Sequence, residues 1–95
     1  MPLTDIKGDL LELFTDQEAP RLLGQRYLDL YPHHRARALL LAKRIQSVRP
    51  QTSWALKRML TRQRESDFQN GETVLVDGWL LARSEVEACA LTILL

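Results

Sequence analysis

The sequence predicts a mainly α-helical single domain, residues 1–95, of about five helices, with one β-hairpin at about residues 73–81 inserted before the last helix. Three observations lead to it. Apolar residues recur at three- and four-residue spacing through most of the chain. Pro32, Pro50 and Asn70-Gly71 punctuate those stretches where helices stop. From Thr73 to Leu81 the helical period gives way to short apolar runs on either side of Asp77-Gly78. A chain of 95 residues can bury one core but is too short for separate catalytic and regulatory units.

Leu3, Ile6, Leu10, Leu13 and Phe14 place a first amphipathic helix from about Thr4 to Phe14, with Thr4 as its cap. Thr15-Asp16-Gln17-Glu18 is a capping box for a second helix, whose stripe is Leu23, Tyr27, Leu30 and Tyr31; Pro20 fits because it lies in the first turn. A third helix, His33 to Val48, sets Ala38, Leu41, Ala42, Ile45 and Val48 on one face and Arg35, Arg37, Lys43 and Arg44 on the other. Thr52 or Ser53 caps a fourth, with Leu56, Met59, Leu60 and Gln63 inward and Lys57, Arg58, Arg62 and Arg64 outward. Thr73–Val76 and Trp79–Leu81 then form strands around Asp77-Gly78, a pair that accepts the positive φ angles of a type I′ turn. Ser84-Glu85-Val86-Glu87 is a second capping box, opening a last helix to Leu95 that is apolar nearly all round from Ala88. Such a helix is either central to the core or offers a free face to a partner.

Charge is strongly polarised although the chain's net charge is only +1. Between His33 and Arg64 there are nine Lys or Arg residues and no Asp or Glu, and the flanking segments are acidic. A basic block of this kind meets phosphates, an acidic protein, or the chain's own acidic ends. Two helices around Pro50 followed by a hairpin share the order of a winged helix-turn-helix, which makes nucleic-acid binding a second reading. The basic residues are spread over both helices, however, and only Gln63 is a base-reading candidate on the fourth.

Catalysis finds no support: there is no glycine-rich phosphate loop, no nucleophile elbow and no Ser or Cys with an identifiable base. Capping accounts for Glu85 and Glu87, and the turn accounts for Asp77. His33 and His34 point about 100° apart on a helix and lack a third ligand at suitable spacing, so neither a metal nor a cofactor is expected. Cys89 lies on an apolar stripe and has no cysteine with which to pair. No apolar run is long enough to span a membrane, and Met1-Pro2-Leu3-Thr4-Asp5 is not a signal peptide, so the chain as given is expected in the cytoplasm, or in the periplasm if an export signal has been removed.

Arg21-Leu22-Leu23-Gly24-Gln25-Arg26-Tyr27-Leu28 and the closing Glu87-Ala88-Cys89-Ala90-Leu91-Thr92-Ile93-Leu94 resemble the small helical subunit that accompanies bacterial flavin-dependent gluconate, sorbitol and glucose dehydrogenases. Asp67 to Gly71 and Val76-Asp77-Gly78-Trp79-Leu80-Leu81-Ala82-Arg83-Ser84-Glu85 resemble a motif of small exported bacterial proteins. The first resemblance implies an accessory chain beside an oxidoreductase; the second is to proteins of uncertain role.

The sequence therefore points to an accessory or assembly protein that binds a larger protein, or a second copy of itself. Its expected contact residues are Trp54, Trp79, Leu91, Leu94, Arg58 and Arg62. The two tryptophans sit at element ends, where full burial is harder, and aromatics often anchor interfaces.

Overall fold

The computed structural model describes Leu10, residues 18–48 and residues 52–95. In chain order these form α1 (Glu18–Leu30), a 3-10 turn (Pro32–His34), α2 (Arg35–Val48), α3 (Ser53–Gln69), β1 (Thr73–Val76), β2 (Trp79–Ala82) and α4 (Arg83–Leu94). The molecule is mainly helical, with the hairpin immediately before the final helix. Among the described residues the helices number four, not the five expected. The helix expected from Thr4 to Phe14 and the Thr15 capping box lie outside the described residues; Leu10 alone of that stretch is described, and it is buried.

The last helix is the centre of the fold. α1, α2 and α3 all pack on α4, and its residues from Val86 to Thr92 are buried. Because α4 is mostly apolar, three helices can surround it, although Ser84, Glu87 and Thr92 are buried with it. Its closest neighbour is α1: a Cβ added at Gly24 would lie 2.4 Å from the Cys89 carbonyl oxygen, so the missing side chain is what lets the two backbones meet. Tyr27, Ala38, Leu41, Ala42, Ile45 and Leu56 complete the core from the other helices. Two residues of the expected stripes face outward instead, Leu30 and Val48, each at the C-terminal end of its helix where the chain turns away.

The helix ends follow local chemistry with one exception. Thr52 caps α3 by accepting the Ala55 N–H through its hydroxyl, and Gly71, at φ 70°, lies just beyond the other end. The helix expected from His33 begins instead as a 3-10 turn on Pro32 and becomes α-helical at Arg35. The exception is α4. Ser84 does not cap it; Ala82 holds the cap position, and Asp67 of α3 supplies the oxygen, accepting the Ser84 backbone N–H at 2.8 Å.

The hairpin pairs Val76 with Trp79 and Thr73 with Ala82, one residue longer than the expected second strand. Asp77 at φ 50° and Gly78 at φ 86° form the turn. Val74 and Val76 enter the core while Leu75 and Leu80, opposite one another, stay in solvent. α1 fixes the hairpin from one side. Both carboxylate oxygens of Asp77 accept from Arg26 Nε, at 2.9 and 3.0 Å, and the Tyr31 hydroxyl donates to the Leu75 carbonyl.

Candidate functional site

Helical periodicity places Trp54, Arg58 and Arg62 one turn apart along the outer face of α3. All three are exposed, Trp54 by 67%, and the Arg58 guanidinium lies over the Trp54 ring, 5.4 Å from its centroid. The three side chains form a ridge with a hollow on each side. Towards α2 the hollow is about 610 Å³, with Val48, Ala55, Met59 and Gln63 along it. On the other side it is about 450 Å³, lined along α3 itself by Lys57, Thr61 and Glu65. Beyond Lys57 and Thr61 comes a smaller pocket of about 160 Å³ over Leu60 and Ala88.

The hollow towards α2 exists because of how the helices are anchored. α2 and α3 each pack on α4, yet they do not pack closely on one another. Arg44, donating to Gln63 Oε1 at 3.0 Å, spans the gap between them. Among the described residues no carboxylate lines this hollow, so its charge is set by Arg58 and Arg62.

The basic block is partly used up within the molecule. Arg64 pairs with Glu85 at 3.6 Å, and Arg44 is held by Gln63. Arg35, Lys43, Lys57, Arg58 and Arg62 have no ion-pair partner among the described residues. Among the described residues, acidic groups also pair with cations outside the block: Asp77 with Arg26, and Glu72 with Arg83 at 3.0 Å.

The other expected contact residues separate. Trp79 is exposed by 72% at the hairpin tip and lines none of the hollows along the ridge. Leu91 is corrected: it is fully buried in the core, because α4 resolved its all-round apolar character by becoming central, and it offers nothing to a partner. Leu94 is partly buried against the same core near the end of α4, beside a hollow shared with Leu28 and Asp29.

A buried polar cluster escaped the sequence reading. Glu87, read as a carboxylate complementing a helix terminus, is only 5% exposed. Burial raises its pKa to about 7, with Asp67 adding to the rise and Arg83 opposing it. Its Oε1 stands 3.3 Å from Arg83 Nε, in a geometry that forms an ion pair but no proper hydrogen bond. Tyr27, also buried, is pushed up to about 12 by burial and by the Glu87 charge, and its hydroxyl sits 3.1 Å from His34 Nδ1. The His34 ring stacks on Tyr31, and burial, followed by the nearby charges of His33 and Arg37, lowers its pKa. Asp67 behaves oppositely: burial would raise its pKa, but hydrogen bonds from Ser84 and Gln63 outweigh this and hold it low. Burial pushes the Cys89 thiol up to about 12, which keeps it protonated and unreactive.

Tyr27 and His34 tie α1 to the 3-10 turn and Asp67 ties α3 to α4, and none of the hollows described above is lined by Glu87, Tyr27 or His34. One signal could have found Glu87: it occupies a position within the otherwise apolar stripe Val86, Ala90 and Leu91. Among the described residues no group of three or more His, Cys, Asp or Glu side chains could hold a metal ion, and no helix is long and apolar enough to cross a membrane.

Comparison of the chain with models of known protein families, with curated proteins and with solved structures finds no match.

Proposed function

We propose that this chain is a non-catalytic accessory or assembly protein that binds a larger protein partner through the ridge Trp54, Arg58 and Arg62, with Trp79 on the hairpin as a second anchor. The observation that supports this most is the pair of Arg58 and Trp54, an exposed aromatic already stacked under a cation that no carboxylate among the described residues pairs with. Trp and Arg are the residues most enriched where interfaces concentrate their binding energy. A surface with free cations selects an acidic partner, and charge of this kind speeds encounter while the aromatic sets the dissociation rate. The resemblance of residues 21–28 and 87–94 to dehydrogenase subunits suggests a flavin-dependent oxidoreductase as the partner.

Nucleic-acid binding is the second reading, favoured by the free cations of α2 and α3 beside an aromatic on which a base could stack. Against a continuous phosphate track stand the engagement of Arg44 and Arg64 within the molecule and the carboxylate of Glu65 beside the ridge.

The test is recovery of the tagged full chain from its native host, with bound protein quantified for wild type, Arg58→Glu/Arg62→Glu and Trp79→Ala. A stoichiometric partner depleted at least tenfold by the double charge reversal is the expected result. A partner retained equally by all three chains rejects the ridge. Retention of a 20-nucleotide DNA or RNA strand, with a log–log salt slope of several units, selects the second reading.

A further inference from the structure

We infer that the hollow on the Val48 side of the α3 ridge receives an acidic amphipathic helix of the partner. This rests on the proposed docking function and adds which face of the ridge is used and what form of chain fills it.

The argument begins with packing. α2 and α3 lie on a common support, α4, without closing on each other. Beside the ridge lies an open hollow whose described lining is α3 itself, with Val48 at the end of α2 on its far edge; a helix laid along α3 can set its side chains between those of the ridge. The hollow is lined by apolar or uncharged groups, Val48, Ala55, Met59 and Gln63, and bounded by Trp54, Arg58 and Arg62. From Trp54 to Arg62 the ridge advances two helical turns, roughly 12 Å at 1.5 Å per residue. A helix of two to three turns matches that length, laying one apolar stripe on Val48, Met59 and the Trp54 ring.

Charge then specifies the other stripe. Arg58 and Arg62 are four residues apart on one helix face, so the side chains leave the backbone about 5–6 Å apart at their Cβ atoms. Carboxylates four residues apart on a facing helix repeat at the same interval and can meet both. Among the described residues no acidic side chain lines the hollow to compete for them. The opposite hollow is a poorer seat for an acidic helix, because Glu65 lies along it. Arg58 is already oriented by Trp54, which reduces the ordering cost when a carboxylate binds.

The test uses the full chain carrying Trp79→Phe, so that Trp54 is its sole tryptophan and reports on the ridge. The probe is a capped 15-residue peptide of Ala, Leu and Glu, with Glu residues four apart and Leu on the adjoining stripe. Three controls accompany it: the same peptide with Lys for Glu, one interrupted by a central Pro, and a 15-nucleotide oligo(dT). The expected result is a saturable blue shift of Trp54 emission with the Glu peptide. Affinity should fall at least tenfold in Arg58→Glu/Arg62→Glu, with that variant now preferring the Lys peptide. A Met59→Gln variant should also weaken binding severalfold, whereas Lys57→Gln, on the opposite side of the ridge, should change it less than twofold.

Absence of saturation with the Glu peptide overturns the inference. So does equal binding of the Lys or Pro peptide, a larger effect of Lys57→Gln than of Met59→Gln, or saturation by oligo(dT) alone. Failure here leaves the docking function intact if the native partner is still lost on charge reversal. If the native partner is indifferent to the ridge, the docking function fails with it.

Discussion

Gly24 and Cys89 meet backbone to backbone: a Cβ on Gly24 would come within 2.4 Å of the Cys89 carbonyl oxygen and 2.8 Å of the Ala90 nitrogen. Neither atom can swing aside as a side chain would, so relief requires α1 to move off the central helix. Gly24→Ala is therefore expected to destabilise the domain by about 2 kcal/mol or more, despite the better helix propensity of alanine. Thermal or urea unfolding checks this, and a variant as stable as wild type would show that the helices do not cross so closely.

The carboxyl of Glu87 should make stability depend on pH. Its folded pKa, about 7, lies above the ordinary 4.5, so the folded state holds its proton more tightly than the unfolded chain does. That preference is complete below 4.5 and is lost as pH rises through about 7. Stability should accordingly decline between pH 5 and 8, by on the order of 1–3 kcal/mol. Arg83, Asp67, Arg37 and Arg44 all act on this group, so the expected variant is Glu87→Gln, which keeps the shape and removes the titration. It should flatten the slope and exceed wild type in stability at pH 8; equal slopes in the two proteins would refute the assignment.

Asp67 provides the complementary case. Its low pKa means that its contribution is present above the ordinary value of 3.8 and disappears as pH falls through the lowered one. Asp67→Ala removes the oxygen that accepts the Ser84 N–H and leaves that buried donor at the start of α4 without a partner. A loss of about 1–3 kcal/mol at pH 7 follows, measured by denaturant unfolding. Asp67→Asn, which retains an acceptor, should lose less than Asp67→Ala.

At the hairpin, Gly78 at φ 86° has open space around the position a Cβ would take, so any cost of substitution is one of backbone conformation and not of crowding. Gly78→Val should destabilise by about 1–2 kcal/mol, and Gly78→Asn by less, since Asn tolerates left-handed backbone better. Equal effects of the two would point to a contact the turn does not have.

Local elements were legible where one residue type answers one local demand. Thr52 at a helix start, Asn70-Gly71 at a helix end and Asp77-Gly78 between two apolar runs each state a backbone conformation that neighbouring residues confirm. The outward placement of Lys57, Arg58 and Arg62 on α3 was readable for the same reason, since a 3.6-residue period fixes which side chains share a face. The Ser84 capping box failed because the same oxygen can come from another helix, and Asp67 is brought there only by the packing of α3 on α4.

Sequence alone determined the helical class, the hairpin and its turn, the polarised charge, and a set of exposed cations alternating with apolar residues along the fourth predicted helix. These follow from interactions within a few residues of chain, which spacing and composition record directly. Tertiary structure alone decided that Leu91 is core and not contact, that Glu87 is buried beside Arg83, that Gly24 admits Cys89, and that Val48 stands across a hollow from Trp54. Each of these depends on which faces of distant segments meet. An all-round apolar helix such as α4 satisfies any of several arrangements equally well by pattern, and only its burial among α1, α2 and α3 selects one.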